Sequence, residues 1–307
     1  MRELTAIVVS YNTRDLLRRC LTELSRHLVG REAELVVVDN ASSDGSAAMV
    51  ARAFPQVRLL ANGDNAGFAA ANNLALAATQ SRYVLLQNSD AFLEEGALET
   101  MLSVLRLDSR IAVVAPRLHD QDGEALASAH AFESASRLAL ATLNAHRLLP
   151  RPARLVLGAR LGRAGAQHLV NYTAGPPVDV DWVSGACMLV RRTAIAEVGG
   201  LDPGYFMYME DEDWCRRFAQ AGYRVVYVPQ AQCAHWTAQS STSTRRRARV
   251  YRASRLRYHR QYHRARYPIF WVLATACLLR EWCAPGPGRP RGRRAPARPQ
   301  EAPCDSR

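Results

Sequence analysis

The chain has 307 residues, 48% of them hydrophobic, and a formal net charge of +12. That length holds one α/β domain of ordinary size plus an appendage. The charge is not spread over it: residues 245–307 carry 17 Arg against Glu281, Glu301 and Asp305, a net +14, while residues 1–244 carry a net −2. A body without a basic excess argues against nucleic-acid binding, which needs a cationic face on the fold itself. The seven cysteines form no CxxC pair and no metal-ligand spacing, which fits small buried hydrophobes in a reducing compartment. Met1-Arg2-Glu3-Leu4 runs straight into a strand pattern without signal-peptide character, so a cytoplasmic location is expected.

Residues 4–10 (LTAIVVS) read as a buried strand. Leucines at 16, 17, 21, 24 and 28 give residues 14–27 helical spacing. A second strand follows at 34–39 (ELVVVD), then a Ser42-Ser43-Asp44-Gly45 turn and a helix ending near Ala53. Strand 57–60, helix 66–78, strand 83–87, a helix from about Glu94 to Leu105 and strand 111–115 continue the alternation. Such βαβ units predict an α/β fold with a mostly parallel, Rossmann-like sheet flanked by helices. In open sheets of this kind ligands bind beyond the carboxyl ends of the strands. Four strand ends are polar: Ser10-Tyr11-Asn12, Asp39-Asn40, Asn62 to Asn65, and Asn88-Ser89-Asp90. Four in succession point to a polar ligand spread along one edge.

Beyond Ala115 the pattern loosens. Asp122-Gly123 predicts a hairpin turn, residues 134–170 hold one or two Arg- and Leu-rich helices, and 181–191 return to a β pattern. A helix is expected at 212–221 and a strand at 223–228. Residues 245–266 form a very basic helix on which Tyr251, Tyr258 and Tyr262 share one face. Residues 268–282 are apolar but shorter than the ~20 residues of a membrane span. Residues 284–307, rich in Pro, Gly and Arg, are expected to be disordered. The basic helix and its apolar neighbour together suit a membrane-surface element.

The segments IVVSYN (7–12), VVVDNASSDGS (36–46), NAGFAAANN (65–73), LLQNSDAFLEEGAL (85–98), WVSGACMLVRR (182–192), VGGLDPGYFMYMEDEDWCRR (198–217) and the pair His235-Trp236 resemble, in this order, the family 2 glycosyltransferases, and among them the rhamnosyltransferase-like branch. The resemblance implies a GT-A fold over residues 1–240, with 117–180 as a variable acceptor-side region, residues 241–283 as a C-terminal helical membrane-surface extension, and 284–307 as a tail. It implies inverting transfer of a sugar, best matched by L-rhamnose from dTDP-rhamnose, to a hydroxyl of a glycan or lipid-linked glycan at the cytoplasmic face of a membrane. A family 2 transferase of a hexose or N-acetylhexosamine, and a nucleotide-sugar-binding pseudoenzyme, stand as alternatives.

Inverting transfer needs a neutralised diphosphate and a base for the acceptor hydroxyl. Asn88-Ser89-Asp90 occupies the family's DxD position, with Asn88 in place of the first acid. Asp90 and His235 are the implied ligands of a divalent cation, Mg²⁺ or Mn²⁺. In the acidic run Glu210-Asp211-Glu212-Asp213 the resemblance makes Asp211 the catalytic base and Glu210 the second candidate. Four acids at a helix start also suit the positive end of the macrodipole. Mutual repulsion is expected to raise the pKa of one of them. Ser10, Tyr11, Asn12, Asp39, Asn65, Gly67, Asn72, Asn88, Ser89 and Gly185 are the expected nucleotide-sugar contacts.

Overall fold

The computed structural model describes residues 1–134, 170–172, 175–236 and 244–283. The first half follows the alternation of its hydrophobic runs: β1 (Arg2–Ser10), α1 (Arg14–His27), β2 (Ala33–Asp39), α2 (Ser46–Ala53), β3 (Arg58–Ala61), α3 (Gly67–Ala78) and β4 (Ser81–Asn88). A short β5 (Ala91–Leu93) precedes α4 (Ala97–Leu107), β6 (Ile111–His119), β7 (Ala125–Leu126) and β8 (Ala129–His130). After a 3₁₀ turn at Val170–Tyr172 come β9 (Val178–Val180), β10 (Trp182–Val183), β11 (Cys187–Arg191), α5 (Arg192–Val198), α6 (Glu210–Gln220) and β12 (Arg224–His235). The chain closes with α7 (Thr244–Tyr262) and α8 (Tyr267–Cys283). The helices expected within 134–170 and the tail at 284–307 lie outside the described residues.

The main sheet runs β3-β2-β1-β4-β11-β6-β12-β5. Its β3-β2-β1-β4 half is parallel; β11 enters antiparallel between β4 and β6. Strand alternation sorts the side chains into two cores. Leu4, Ala6 and Val8 of β1 pack with the apolar faces of α1, α2 and α4, and Ile7 packs on the other side with α3, α5 and α6. Each face of the sheet is thereby covered, which is why the parallel strands read as unbroken apolar runs.

Two elements depart from the sequence pattern. The helix expected from Glu94 begins at Ala97, because residues 91–93 continue as β5 and the Glu94 N–H still donates to the Gln232 carbonyl at 3.0 Å. The strand expected to stop at Val228 runs on to His235 through a register shift between Val228 and Gln232, where Pro229 cannot donate to a ladder. This extension matters, because it carries His235 to the level of Ala91.

Gly67 joins the third strand-end loop to the segment before α6. Its φ is +83°, and a Cβ there would collide with the Phe206 carbonyl oxygen and lie 2.9 Å from Phe206 Cδ2. The Phe68 N–H donates to that same carbonyl at 2.9 Å. Gly123 has a matching φ of +80° but open space around it. Gly67→Ala should therefore cost ~3 kcal/mol or more, conformational strain plus overpacking, against ~1 kcal/mol for Gly123→Ala. Urea denaturation of the two variants compares them directly; equal losses would mean that the Phe206 contact is soft.

Candidate functional site

Register brings the strand ends together. Ser10 pairs with Asp39, and Val9 with Asn88. Hydrogen bonds then lace the loops beyond them. Asn12, at φ +54°, donates its N–H to Ser42 Oγ at 3.0 Å, and its Oδ1 accepts the Ser43 N–H at 2.8 Å. Asn40 Nδ2 donates to the Gly67 carbonyl at 3.1 Å, and Asn62 Nδ2 donates to Asn40 Oδ1 at 2.7 Å. Asn65 Oδ1 accepts the Gly67 N–H at 3.1 Å, and Tyr11 stands half-buried beside Asn12.

Asp39 is 3% exposed. Its Oδ2 accepts the Ser42 N–H at 3.0 Å, while Oδ1 is buried with no hydrogen-bond partner among the described residues. An unsatisfied buried carboxylate oxygen is costly, so this atom marks where a ligand N–H or O–H can be received. Three other expected contacts are already engaged. Ser10 Oγ, Thr13 Oγ1 and Ser89 Oγ form a buried hydroxyl chain with links of 3.0 and 2.8 Å, and the buried Asn72 gives its Nδ2 to the Phe68 carbonyl at 2.9 Å. These side chains hold the edge from behind. Thr13, Asn40 and Asn62 carry part of the same lacing, and no spacing in the sequence singles them out.

At the carboxyl end of β4, the Asn88 N–H donates to the Ala186 carbonyl at 2.9 Å. Asp90 and His235 come together: His235 Nε2 lies 3.3 Å from Asp90 Oδ1, and the Trp236 N–H donates to the Asp90 carbonyl at 2.9 Å. Pairing of β5 with β12 is what sets this contact. Carboxylate oxygen and imidazole nitrogen are a donor set that suits Mg²⁺ or Mn²⁺, ions that keep several waters or substrate oxygens. Among the described residues no group of three or more His, Cys, Asp or Glu that could hold a metal ion is gathered.

The acidic run opens α6 after Tyr208 and Met209, both at left-handed φ values of 70° and 72°. Asp211 is half-buried and receives two backbone donors: Gly185 N–H to Oδ2 at 3.0 Å, and Glu212 N–H to Oδ1 at 2.9 Å. Burial raises its pKa while these bonds oppose the rise. Glu210 is 6% exposed, with Oε2 unpartnered among the described residues. Burial first, and the Asp211 charge second, push its carboxyl well above the ordinary range. The repulsion expected from sequence is thus real but secondary to desolvation. The pair divides accordingly: Asp211, with two N–H donors, is the better place for the negative charge, and Glu210 the better place for the proton.

Glu212 and Asp213 face away, toward other parts of the chain. Glu212 Oε1 accepts the Glu133 N–H at 2.6 Å, and burial pushes its carboxyl up to about 7. Asp213, fully buried, pairs with Arg217 at 2.9 Å and accepts from Tyr262 Oη at 2.7 Å and Gln261 Nε2 at 3.2 Å. Both latter donors lie on α7. The basic helix is therefore folded against α6. Its buried His259 places Nε2 2.7 Å from Glu133 Oε2, Arg255 Nε donates to Glu133 Oε1 at 2.7 Å, Arg257 pairs with Asp202 at 2.7 Å, and Ser254 Oγ donates to the Met207 carbonyl at 2.8 Å. Tyr258 and Tyr262, predicted to share a face, bracket the Arg216 guanidinium at 5.2 and 4.8 Å. Glu133 and Arg255 were not legible as functional residues, since each makes sense only through a partner 122 positions away.

Glu212 links this packing to pH. An acid whose folded pKa lies near 7, against an ordinary 4.5, leaves the folded state protonated where the unfolded chain is not. Its contribution is intact below pH 4.5 and is lost as pH rises toward 7, a change on the order of 3 kcal/mol. Glu212→Gln should flatten that slope and be the more stable protein at pH 8. Urea unfolding at pH 5 and pH 8 tests this; an unchanged slope in the variant would assign the titration elsewhere.

The family model described as glycosyl transferase family 2 matches residues 5–158, and that described as glycosyl transferase family group 2 matches residues 157–283. The N-acetylglucosaminyl-diphospho-decaprenol L-rhamnosyltransferase of Mycobacterium tuberculosis (strain ATCC 25618 / H37Rv) is 31% identical over 254 residues, 78% of this chain and 77% of that protein. Rhamnosyltransferase WbbL of Escherichia coli (strain K12) is 45% identical over 64 residues, 21% of this chain and 24% of that one. Among solved structures, the mannosyltransferase PcManGT from Pyrobaculum calidifontis, in complex with GDP-Man and Mn2+, gives a TM-score of 0.55 at 18% identity, covering 93% of this chain and 76% of that one. At that identity the likeness establishes the fold. With the paired strand ends, the mixed sheet and the relatives in agreement, the chain belongs to glycosyl transferase family 2 and is a glycosyltransferase of the hexosyl-transferring type with the GT-A fold.

Proposed function

We propose that the protein transfers L-rhamnose from a nucleoside-diphosphate donor, dTDP-rhamnose, to a hydroxyl of a lipid-linked glycan at a membrane surface, with inversion at the anomeric carbon. One observation carries the chemistry. The consecutive residues Gly185 and Ala186 hold the Asp211 carboxylate and the Asn88 backbone, at 3.0 and 2.9 Å. The proposed base is thereby fastened to the turn that bears Asp90. The relative of Mycobacterium tuberculosis, named for N-acetylglucosaminyl-diphospho-decaprenol, supports an acceptor carried on a lipid diphosphate.

Asp39 Oδ1 receives a donor from the base or ribose of the nucleotide, with Tyr11 and Asn12 beside it. Asp90 and His235 hold a divalent cation, which when bound offsets negative charge on the donor diphosphate. Asn88 leaves this site one carboxylate fewer than a DxD turn has. The acceptor hydroxyl gives its proton to Asp211 as its oxygen bonds to the anomeric carbon, and the bond from that carbon to the diphosphate oxygen breaks, releasing nucleoside diphosphate. Glu210, holding its proton, adds no second negative charge beside the base.

Asp211→Asn keeps both backbone N–H partners through its amide oxygen only in part, but it cannot take a proton. Its turnover should fall ~10²- to 10⁴-fold while the donor still raises the melting temperature. Normal turnover with donor bound would remove Asp211 as the base. The donor is settled separately by thermal shifts with a panel of nucleotide sugars and Mn²⁺, since a ligand that binds only the folded state stabilises it by mass action. dTDP-rhamnose should give the largest shift; a larger one with a nucleotide-hexose or N-acetylhexosamine would replace rhamnose in the reaction.

A further inference from the structure

The inner side of α7 is committed to the domain, through Arg255 to Glu133, Arg257 to Asp202 and Tyr262 to Asp213. The opposite side, which bears Arg260, faces outward. α7 and α8 form an antiparallel hairpin, held by Arg252 Nη2 donating to Thr275 Oγ1 at 2.7 Å and by His259 stacked on Phe270 with ring centroids 3.4 Å apart. At its tip Arg260, Arg264 and Arg266 are exposed, and no carboxylate among the described residues pairs with them. Arg260, Arg264 and Tyr267 line a cavity of about 360 Å³. A few residues on along α8, Ile269 and Val272 are 54% and 58% exposed, and Trp271, at 48%, sits at the edge of the same side with the Arg252 guanidinium 5.8 Å from its ring.

We propose that this hairpin tip and the outer side of α8 dock on an anionic phospholipid bilayer, with phosphate headgroups received by Arg260, Arg264 and Tyr267 and the apolar side chains entering the interface. The proposal rests on the lipid-linked acceptor argued above and assigns the membrane contact to a different surface from the basic helix as a whole. Charge favours this occupant: three unpaired guanidiniums rim an apolar patch, a combination that binds anionic interfaces. Size disfavours a second copy of the chain, because three half-exposed side chains present roughly a few hundred Å², short of the ~800 Å² that each partner of a stable interface buries. No helix among the described residues is long and apolar enough to cross a membrane, so the contact lies in the interfacial plane. Because the opposite side of the same hairpin grips Glu133 and Asp213, docking there fixes the orientation of α6 toward the bilayer.

The test is co-sedimentation of the full chain with vesicles of phosphatidylcholine alone or with one-third phosphatidylglycerol, beside sedimentation velocity without lipid. The wild type should bind only the anionic vesicles, and less at 0.5 M salt than at 0.1 M. Arg260→Glu with Arg264→Glu should lower partitioning at least tenfold, and Trp271→Gln severalfold, with melting temperature unchanged. Transfer to a soluble N-acetylglucosaminyl diphosphate bearing a short alkyl chain should be unaffected in both. Binding of the variants equal to wild type, no binding of the wild type to anionic vesicles, or a dimer that Trp271→Gln dissociates would each overturn the proposal. Vesicle binding that obeys the variants while no acceptor is glycosylated would uphold the surface and reject the proposed acceptor.

Discussion

Four consecutive carboxylates at the start of one helix concentrate charge that a fold can bury only by bringing donors to it. The macrodipole favours acids in this turn, but by no more than ~1 kcal/mol each in most settings, far below the cost of burying an unpaired carboxylate. Most donors come from elsewhere in the chain: Gly185 before β11 for Asp211, Glu133 after β8 for Glu212, and Gln261 and Tyr262 of α7 for Asp213, beside Arg217 one turn along α6. Glu210 has none at Oε2 among the described residues, and burial with the Asp211 charge beside it pushes its carboxyl well above the ordinary range. Segments far apart in sequence are thereby tied to the first turn of α6. Both left-handed residues before it, Tyr208 and Met209, are held where the chain would not rest alone.

The other half of the site depends on register. Parallel pairing of β1, β2 and β4 places their polar ends side by side, and the late extension of β12 adds His235 to Asp90. The two halves are joined at Gly185 and Ala186, whose backbone serves both at once. Gly185 itself stands where a Cβ would come 3.3 Å from Phe68 Cε1, so the bridge is close-packed as well as hydrogen-bonded. The polar strand-end edge and the acidic helix start become one continuous site through this short link.

The parallel half of the sheet was legible because strands covered on both faces must be apolar throughout, as LTAIVVS and ELVVVD are. β5 was not, since three residues have no period to read, and Gly96 hid the true start of α4. Polar strand ends were legible as a group but not one by one. Ser10, Ser89 and Asn72 have the same chemistry as Asn12 and Asp39, yet their polar groups are turned onto Thr13 and Phe68. Only the fold decides whether a hydroxyl meets a ligand or a neighbour. The common face of Tyr251, Tyr258 and Tyr262 followed from helical spacing; that it covers the acidic helix did not, because nothing local distinguishes a counter-ion for Glu133 from a free arginine.

That last distinction changes what the basic C-terminal region means. A net +14 over residues 245–307 looks like a uniform charge run, but its arginines do different work. Arg255 and Arg257 neutralise Glu133 and Asp202 and act as counter-ions within the domain; the low exposure of the Arg255–Glu133 pair makes it the harder of the two to replace. Arg260, Arg264 and Arg266 are exposed and have no such acid among the described residues. The helix is thus divided by side, one side completing the domain through Tyr262 and Asp213 and the other, with the turn after it, facing outward. Removing it wholesale would confound the two, since Glu133 would lose Arg255 and His259, its side-chain partners among the described residues, and Asp213 would lose Gln261 and Tyr262, so the first turn of α6 would loosen for reasons unrelated to any membrane.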